Sequence, residues 1–173
     1  MDQVKAMNSY KKRHRRWQDR IPAQTRYLSQ LVDTKLIPYF EQNGFKQVGA
    51  SAYGDTEYLI EAKDVLLQKK INSQIEEIEI SFDKYDKPCF QITMHRNDLI
   101  PPYKSISHGA LVRKKNQYVC FWGKPWWLPR VFWLKMMSDK TIKKVFLIVP
   151  QILKFLDSGV VSFNIGDRKN VID

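Results

Sequence analysis

The chain has 173 residues, of which 43% are hydrophobic and 13% aromatic, and its 29 basic and 18 acidic side chains leave a net charge of +11. That length suits one domain with its own core, and the apolar share excludes a disordered chain. The charge points to polyanionic or acidic partners and says nothing about fold; it is uneven, net +6 over residues 1–50, −4 over 51–100 and +9 over 101–173.

Residues 1–21 are predicted to form a basic amphipathic helix. Val4, Met7, Tyr10, His14, Trp17 and Ile21 recur every three or four residues and so share one stripe. Lys5, Lys11, Lys12, Arg13, Arg15, Arg16 and Arg20 cover the rest of the surface. The chain is expected to divide into this arm, residues 1–21, and a single α+β domain over residues 22–173. A second helix is predicted from Ala23 to Asn43, kinked at Pro38, which has no N–H to donate, and stopped by Gly44. From Gly49 to Arg96 the period shifts towards two: Tyr58, Ile60 and Ala62 alternate with Glu57, Leu59 and Glu61, Ile78, Ile80 and Phe82 with Glu77, Glu79 and Ser81, and Phe90, Ile92 and Met94 with Gln91, Thr93 and His95. That pattern predicts an antiparallel meander with one apolar and one polar face. Residues 65–72 add a strand whose phase the adjacent Leu66 and Leu67 leave open, and residues 83–88 form a hairpin connection. Residues 97–116 read as a loop around Pro101 and Pro102, residues 117–122 as the last strand. A final helix is expected to start at Ser138 or Asp139, to bend at Pro150 and to close at Gly159. The resulting fold class is α+β, a meander sheet with N- and C-terminal helices packed on one face.

Pro38, Phe40 and the run Gly44-Phe45-Lys46, followed by a meander and a late apolar helix, resemble a group of small bacterial α+β domains of unknown function over residues 27–157. The resemblance implies an interaction role of the immunity or accessory type. It implies no catalytic residues, because that group has no established activity.

The run Lys11-Lys12-Arg13-His14-Arg15-Arg16 with Trp17, extended by Arg20, is the sharpest local signal. Such cations neutralise phosphates and release counterions, and a tryptophan beside them can stack on a base. The same face suits an acidic protein or an anionic surface, or is a solvated face whose stripe packs on its own domain. In the last case the arm is expected to dock on Glu76, Glu77 and Glu79. Residues 122–137 hold four of the five tryptophans; Trp126, Trp127 and Arg130 form a possible aromatic binding surface, against a reading as core.

The other chemistries are weaker. Glu61-Ala62-Lys63, with Asp55 upstream, has the E-x-K spacing of metal-dependent nucleases, but the composition alone accounts for the three Asp/Glu-x-Lys matches present. His95 with Asp98, and His108 with Ser105 and Ser107, follow no nucleophile motif. Cys89, His95, His108 and Cys120 lack the paired spacing of a zinc site. No phosphate loop or dinucleotide fingerprint occurs, so no cofactor and no metal are expected. The first twenty residues contain no apolar run of an export signal, and no segment is apolar enough to span a membrane. The expectation is a cytoplasmic protein with reduced, mostly buried cysteines. Function is therefore expected to be non-enzymatic binding of an acidic macromolecule through the arm. The alternatives are a nucleic-acid-binding protein using the same arm and a nuclease at Glu61 and Lys63.

Overall fold

A computed structural model describes residues 2–53, 56–99, 105–114, 119–123 and 134–167. Helix α1 (Gln3–Arg20) starts at Asp2, whose carboxylate accepts the Val4 N–H at 3.0 Å. Its other end is held by Arg26, whose guanidinium donates to the carbonyls of Gln18, Asp19 and Ile21 at 2.6–3.2 Å. Those carbonyls have no partner within the helix, so the cation satisfies them.

The second predicted helix is one rod in three parts. Helix α2 (Ala23–Leu31) passes through a π-helical turn (Val32–Leu36) into α3 (Ile37–Gln42). The irregularity expected at Pro38 takes the form of that wider turn, in which the Ile37 N–H reaches the Val32 carbonyl five residues back. Gly44, at φ +88°, ends α3: its N–H bonds Glu41 at 3.0 Å and the Phe45 N–H bonds Phe40 at 3.1 Å. This is the paired C-terminal closure that a left-handed residue permits.

The main sheet is antiparallel and seven-stranded. Strands β1 (Lys46–Val48), β4 (Asp64–Ile71), β5 (Gln74–Phe82), β6 (Cys89–Asp98), β7 (Ser105–Leu111) and β9 (Ile165–Asp167) lie in the spatial order β1-β4-β5-β6-β7-β9. The short β8 (Cys120–Trp122) pairs with the first residues of β6, along the edge that β7 occupies further on. Strands β2 (Ala50–Tyr53) and β3 (Thr56–Leu59) form a separate hairpin. Helices α4 (Leu134–Ile148) and α5 (Pro150–Ser158) join α2 and α3 on one face of the sheet. There Val65, Leu67, Ile78, Ile80, Phe90 and Ile92 meet Leu28, Leu36, Phe40, Val145, Ile152 and Phe155. Each such buried side chain contributes on the order of 1.5–3 kcal/mol. The expected α+β class and its helix-covered sheet are what the chain adopts.

Several boundaries differ from expectation, each for a local reason. Residues 57–62 are not part of the meander: Tyr58 and Leu59 are exposed on the β2–β3 hairpin. The stretch read as a loop contains β7 and the last residues of β6. Residues 120–122 are not the last strand, since β9 follows α5. Helix α4 begins four residues before Ser138. Ser138 is fully buried, and Asp139 instead accepts the Tyr27 hydroxyl at 3.3 Å and lies 3.8 Å from the Lys35 ammonium. Pro150 does mark a break, as the first residue of α5, and Gly159 closes that helix at φ +68°.

Helix α1 is built into the domain. Tyr10 packs with Ile60 and with Leu66, which points away from the helical layer, while Trp17 and Ile21 join the main core. The expected docking on Glu76, Glu77 and Glu79 does not occur. Glu76 is 3% exposed between its cross-strand partners Lys69 and Arg96. Glu77 accepts from Gln68 at 2.6 Å and Ser51 at 3.1 Å, and Glu79 accepts from Ser81 at 3.0 Å.

Candidate functional site

The seam of α1 is fixed by hydrogen bonds as well as by packing. The Tyr10 hydroxyl donates to the Asp64 carbonyl at 2.9 Å, and His14 Nδ1 donates to the Ala62 carbonyl at 2.6 Å. The other imidazole nitrogen lies 3.3 Å from the Asp33 carboxylate, which also accepts Gln18 Nε2 at 2.7 Å. The Trp17 indole N–H donates to Asp86 at 3.1 Å, and its ring meets Phe82 at 5.3 Å between centroids. With its seam held, α1 turns the opposite side outward. Lys5, Lys11, Lys12, Arg15, Arg16 and Arg20 are exposed, and among the described residues none forms an ion pair.

Two residues of the predicted binding run behave differently. Arg13 is half-buried beside Ala62, and its Nε and Nη2 find no hydrogen-bond acceptor among the described residues. Trp17 is 7% exposed, so its indole is committed to the core and has no face to offer a base. Trp126, Trp127 and Arg130 lie outside the described residues; of that segment's tryptophans only Trp122, on β8, is described, and it is 37% exposed.

The sheet face turned away from the helices carries a cleft of about 650 Å³, walled by Tyr58 and Leu59 of β3. A transverse row crosses its floor, in which Gln68, Glu77, His95 and His108 are successive cross-strand partners. The two imidazole rings lie 4.0 Å apart between centroids, tilted by 36°. Burial raises the Glu77 carboxyl above its usual range, against hydrogen bonds from Gln68 and Ser51. At the same face Asp64 is pushed up to about 6, first by desolvation and then by the charge of Glu79, with Lys63 opposing.

A raised carboxyl stabilises the fold below its unfolded value near 3.8 and loses that contribution as pH rises towards about 6. Asp64→Asn should therefore be more stable than the parent at pH 7, with the difference shrinking towards pH 4. Denaturant midpoints measured across that range check this; a constant difference would assign the effect to another cause.

Ser105 borders the same cleft as His95 and His108, whereas strand alternation puts Asp98 and Ser107 on the helical side. Glu61, with a side chain 69% exposed, is paired to Lys63 at 3.3 Å, and Asp55 lies outside the described residues. His95 and His108 meet at one end of β6, while Cys89 and Cys120 meet at the other, about 20 Å away along the strand. Among the described residues no group of three or more His, Cys, Asp or Glu side chains is arranged to hold a metal ion, and no helix is long and apolar enough to cross a membrane. Sequence reasoning missed the histidine pair because residues 105–111 lack a clear strand pattern, and the cysteine pair because no local signal sets β8 beside the start of β6. No protein family, no curated protein and no solved structure matches this chain.

Proposed function

We propose that this chain is a non-enzymatic binding protein that presents the outer face of α1 to an acidic protein surface. The observation that carries the reading is the anchored helix. Tyr10, His14 and Trp17 fix its rotation, so Lys11, Lys12, Arg15 and Arg16 project together into solvent without carboxylate partners among the described residues. An exposed charge pair contributes little alone, but an array of one sign steers encounter and selects complementary surfaces. A helix already ordered also loses less entropy on binding than a disordered tail. Burial of Trp17 removes the stacking group that favoured nucleic acid, and leaves phosphate contact as the remaining attraction for that partner.

The test uses the quadruple variant Lys11→Gln, Lys12→Gln, Arg15→Gln and Arg16→Gln, with polyglutamate and a mixed-sequence RNA as probes. Its surface position leaves the fold intact, which circular dichroism verifies. Polyglutamate affinity should fall roughly fourfold to several hundredfold, the sum of four exposed pairs at ~0.2–1 kcal/mol each. Equal binding by parent and variant would overturn the assignment of this face. Tighter binding of RNA than of polyglutamate, with a steep salt slope, would replace the acidic protein by a nucleic acid.

A further inference from the structure

The two cysteines, 31 residues apart in sequence, are neighbours in space. Cys89 opens β6 and Cys120 opens β8. In the antiparallel register Cys89 faces Trp122 and Gln91 faces Cys120, so the cysteines are diagonal neighbours two residues out of step and share one face. Both border a cleft of about 410 Å³. The register is firmly held. On the opposite face Phe90 and Phe121 pack at 5.7 Å, beyond the pair the Gly123 N–H donates to Pro88 at 2.7 Å, and the Thr141 hydroxyl donates to the Trp122 carbonyl. Cys89 is 2% exposed, whereas Cys120 is half-buried. Of the two, Cys120 is the more accessible.

We propose that Cys89 and Cys120 are a redox modification site that closes to an intramolecular disulfide by exchange with a low-molecular-weight disulfide, with Cys120 attacking and Cys89 resolving. Cys120 gives its proton to water, and its thiolate attacks one sulfur of the reagent. A bond forms between Cys120 Sγ and that sulfur, the reagent's own S–S bond breaks, and the departing thiolate takes the electron pair and a proton. Cys89 then loses its proton and attacks Cys120 Sγ. The Cys89–Cys120 bond forms, the bond to the reagent's sulfur breaks, and the second thiolate leaves. The protein gives up two electrons and two protons, and one disulfide becomes two thiols.

The surroundings match these roles. The hydrogen bond from Cys89 holds the Cys120 thiol down to about 7, against burial and Asp83, and the same bond raises Cys89 well above the usual thiol range. Once Cys120 is capped its negative charge is gone, and with it the largest cause that keeps Cys89 protonated. Lys87 also favours the Cys89 thiolate, against Asp83. Diagonal strand neighbours lie roughly 7–8 Å apart, so forming an S–S bond of about 2.05 Å draws the short β8 towards the start of β6. The bridge would tie β8 to β6 without crossing another element.

The experiment uses the reduced full chain with an excess of oxidised glutathione, followed by intact mass and by digestion. The parent should lose both free thiols and the mass of two hydrogens, and should yield one peptide pair joined through Cys89 and Cys120. Cys89→Ala should stop at a mixed disulfide carrying one glutathione, and Cys120→Ser should react roughly tenfold more slowly or not at all. A parent that keeps two free thiols, stops at the mixed disulfide or cross-links between chains would overturn the proposal. If Cys89→Ala fails to fold, the order of alkylation in the parent decides. Iodoacetamide should label Cys120 before Cys89, with a midpoint near pH 7; the reverse order would sink the assignment of roles.

Discussion

Gly49→Ala should lower the melting temperature by roughly 6 °C or more, through a loss of about 3 kcal/mol. A Cβ at residue 49 would lie 2.4 Å from the Ala6 carbonyl oxygen, 2.5 Å from its carbon and 2.6 Å from the Met7 nitrogen, where 3.0 Å is already close for any real Cβ. All three atoms belong to the backbone of α1, so no rotamer change relieves the clash and the helix itself must retreat. Retreat lifts Tyr10 off Ile60 and Leu66 and stretches the bonds from Tyr10 and His14 to the backbone of residues 62–64. The cost belongs at the upper end of the range for overpacking, because a rigid helix transmits the displacement along its length. Gly44→Ala provides the comparison. There the objection is conformational, φ +88°, and the added methyl meets only the flexible end of Lys69 at 3.5 Å. Its cost is about 1–2 kcal/mol, the usual penalty for a left-handed residue with a Cβ. Thermal melts followed by circular dichroism should rank Gly49→Ala as the more damaging. An unchanged melting temperature for Gly49→Ala would mean that α1 does not lie across this residue.

The helical stripe of α1 and the alternation in β5 and β6 were legible because each buries one side against one neighbouring layer. Where a strand is covered on both sides that signal disappears. In β4, Val65 and Leu67 face the helices while Leu66 meets Tyr10, so three consecutive apolar residues carry no period. Strand β7 was lost for another reason. Gly109 lies under Phe155, where a Cβ would come within 3.0 Å of the ring, so close packing required a residue that weakens the strand pattern. Losing β7 also hid the site geometry. The pairing of His95 with His108 runs directly through it, and β8 continues along the same edge of β6 to reach Cys89. The cations of α1 could be read from the sequence, since charge on a solvent face needs no tertiary contact. The fate of Trp17 could not, because a stripe that fits the core of its own domain fits a partner equally well.

Trp17→Ala should be the most damaging single substitution in α1, at about 3–5 kcal/mol, or roughly 6–20 °C in melting temperature. The indole fills space between Phe82 and His14, with centroids 5.3 Å from each, and donates to Asp86 at 3.1 Å. Removing it leaves a cavity at the junction where α1 meets the main core, and frees Asp86, whose backbone carbonyl also accepts Thr25 at 2.6 Å. Trp17→Phe separates these contributions. It keeps an aromatic ring against Phe82 and gives up the N–H bond, so it should cost about 1 kcal/mol beyond its small loss of packing. A leucine variant tests function independently of stability. If Trp17 anchors the basic face, that variant should bind polyglutamate and RNA as the parent does at a temperature where both are folded. If Trp17 stacked on bases, Trp17→Leu, which keeps an apolar side chain but no ring, would weaken RNA binding by ~1–3 kcal/mol with little effect on the fold. A stable Trp17→Leu with lost RNA affinity would therefore contradict the anchoring role; a destabilised variant with undiminished affinity is the expected result.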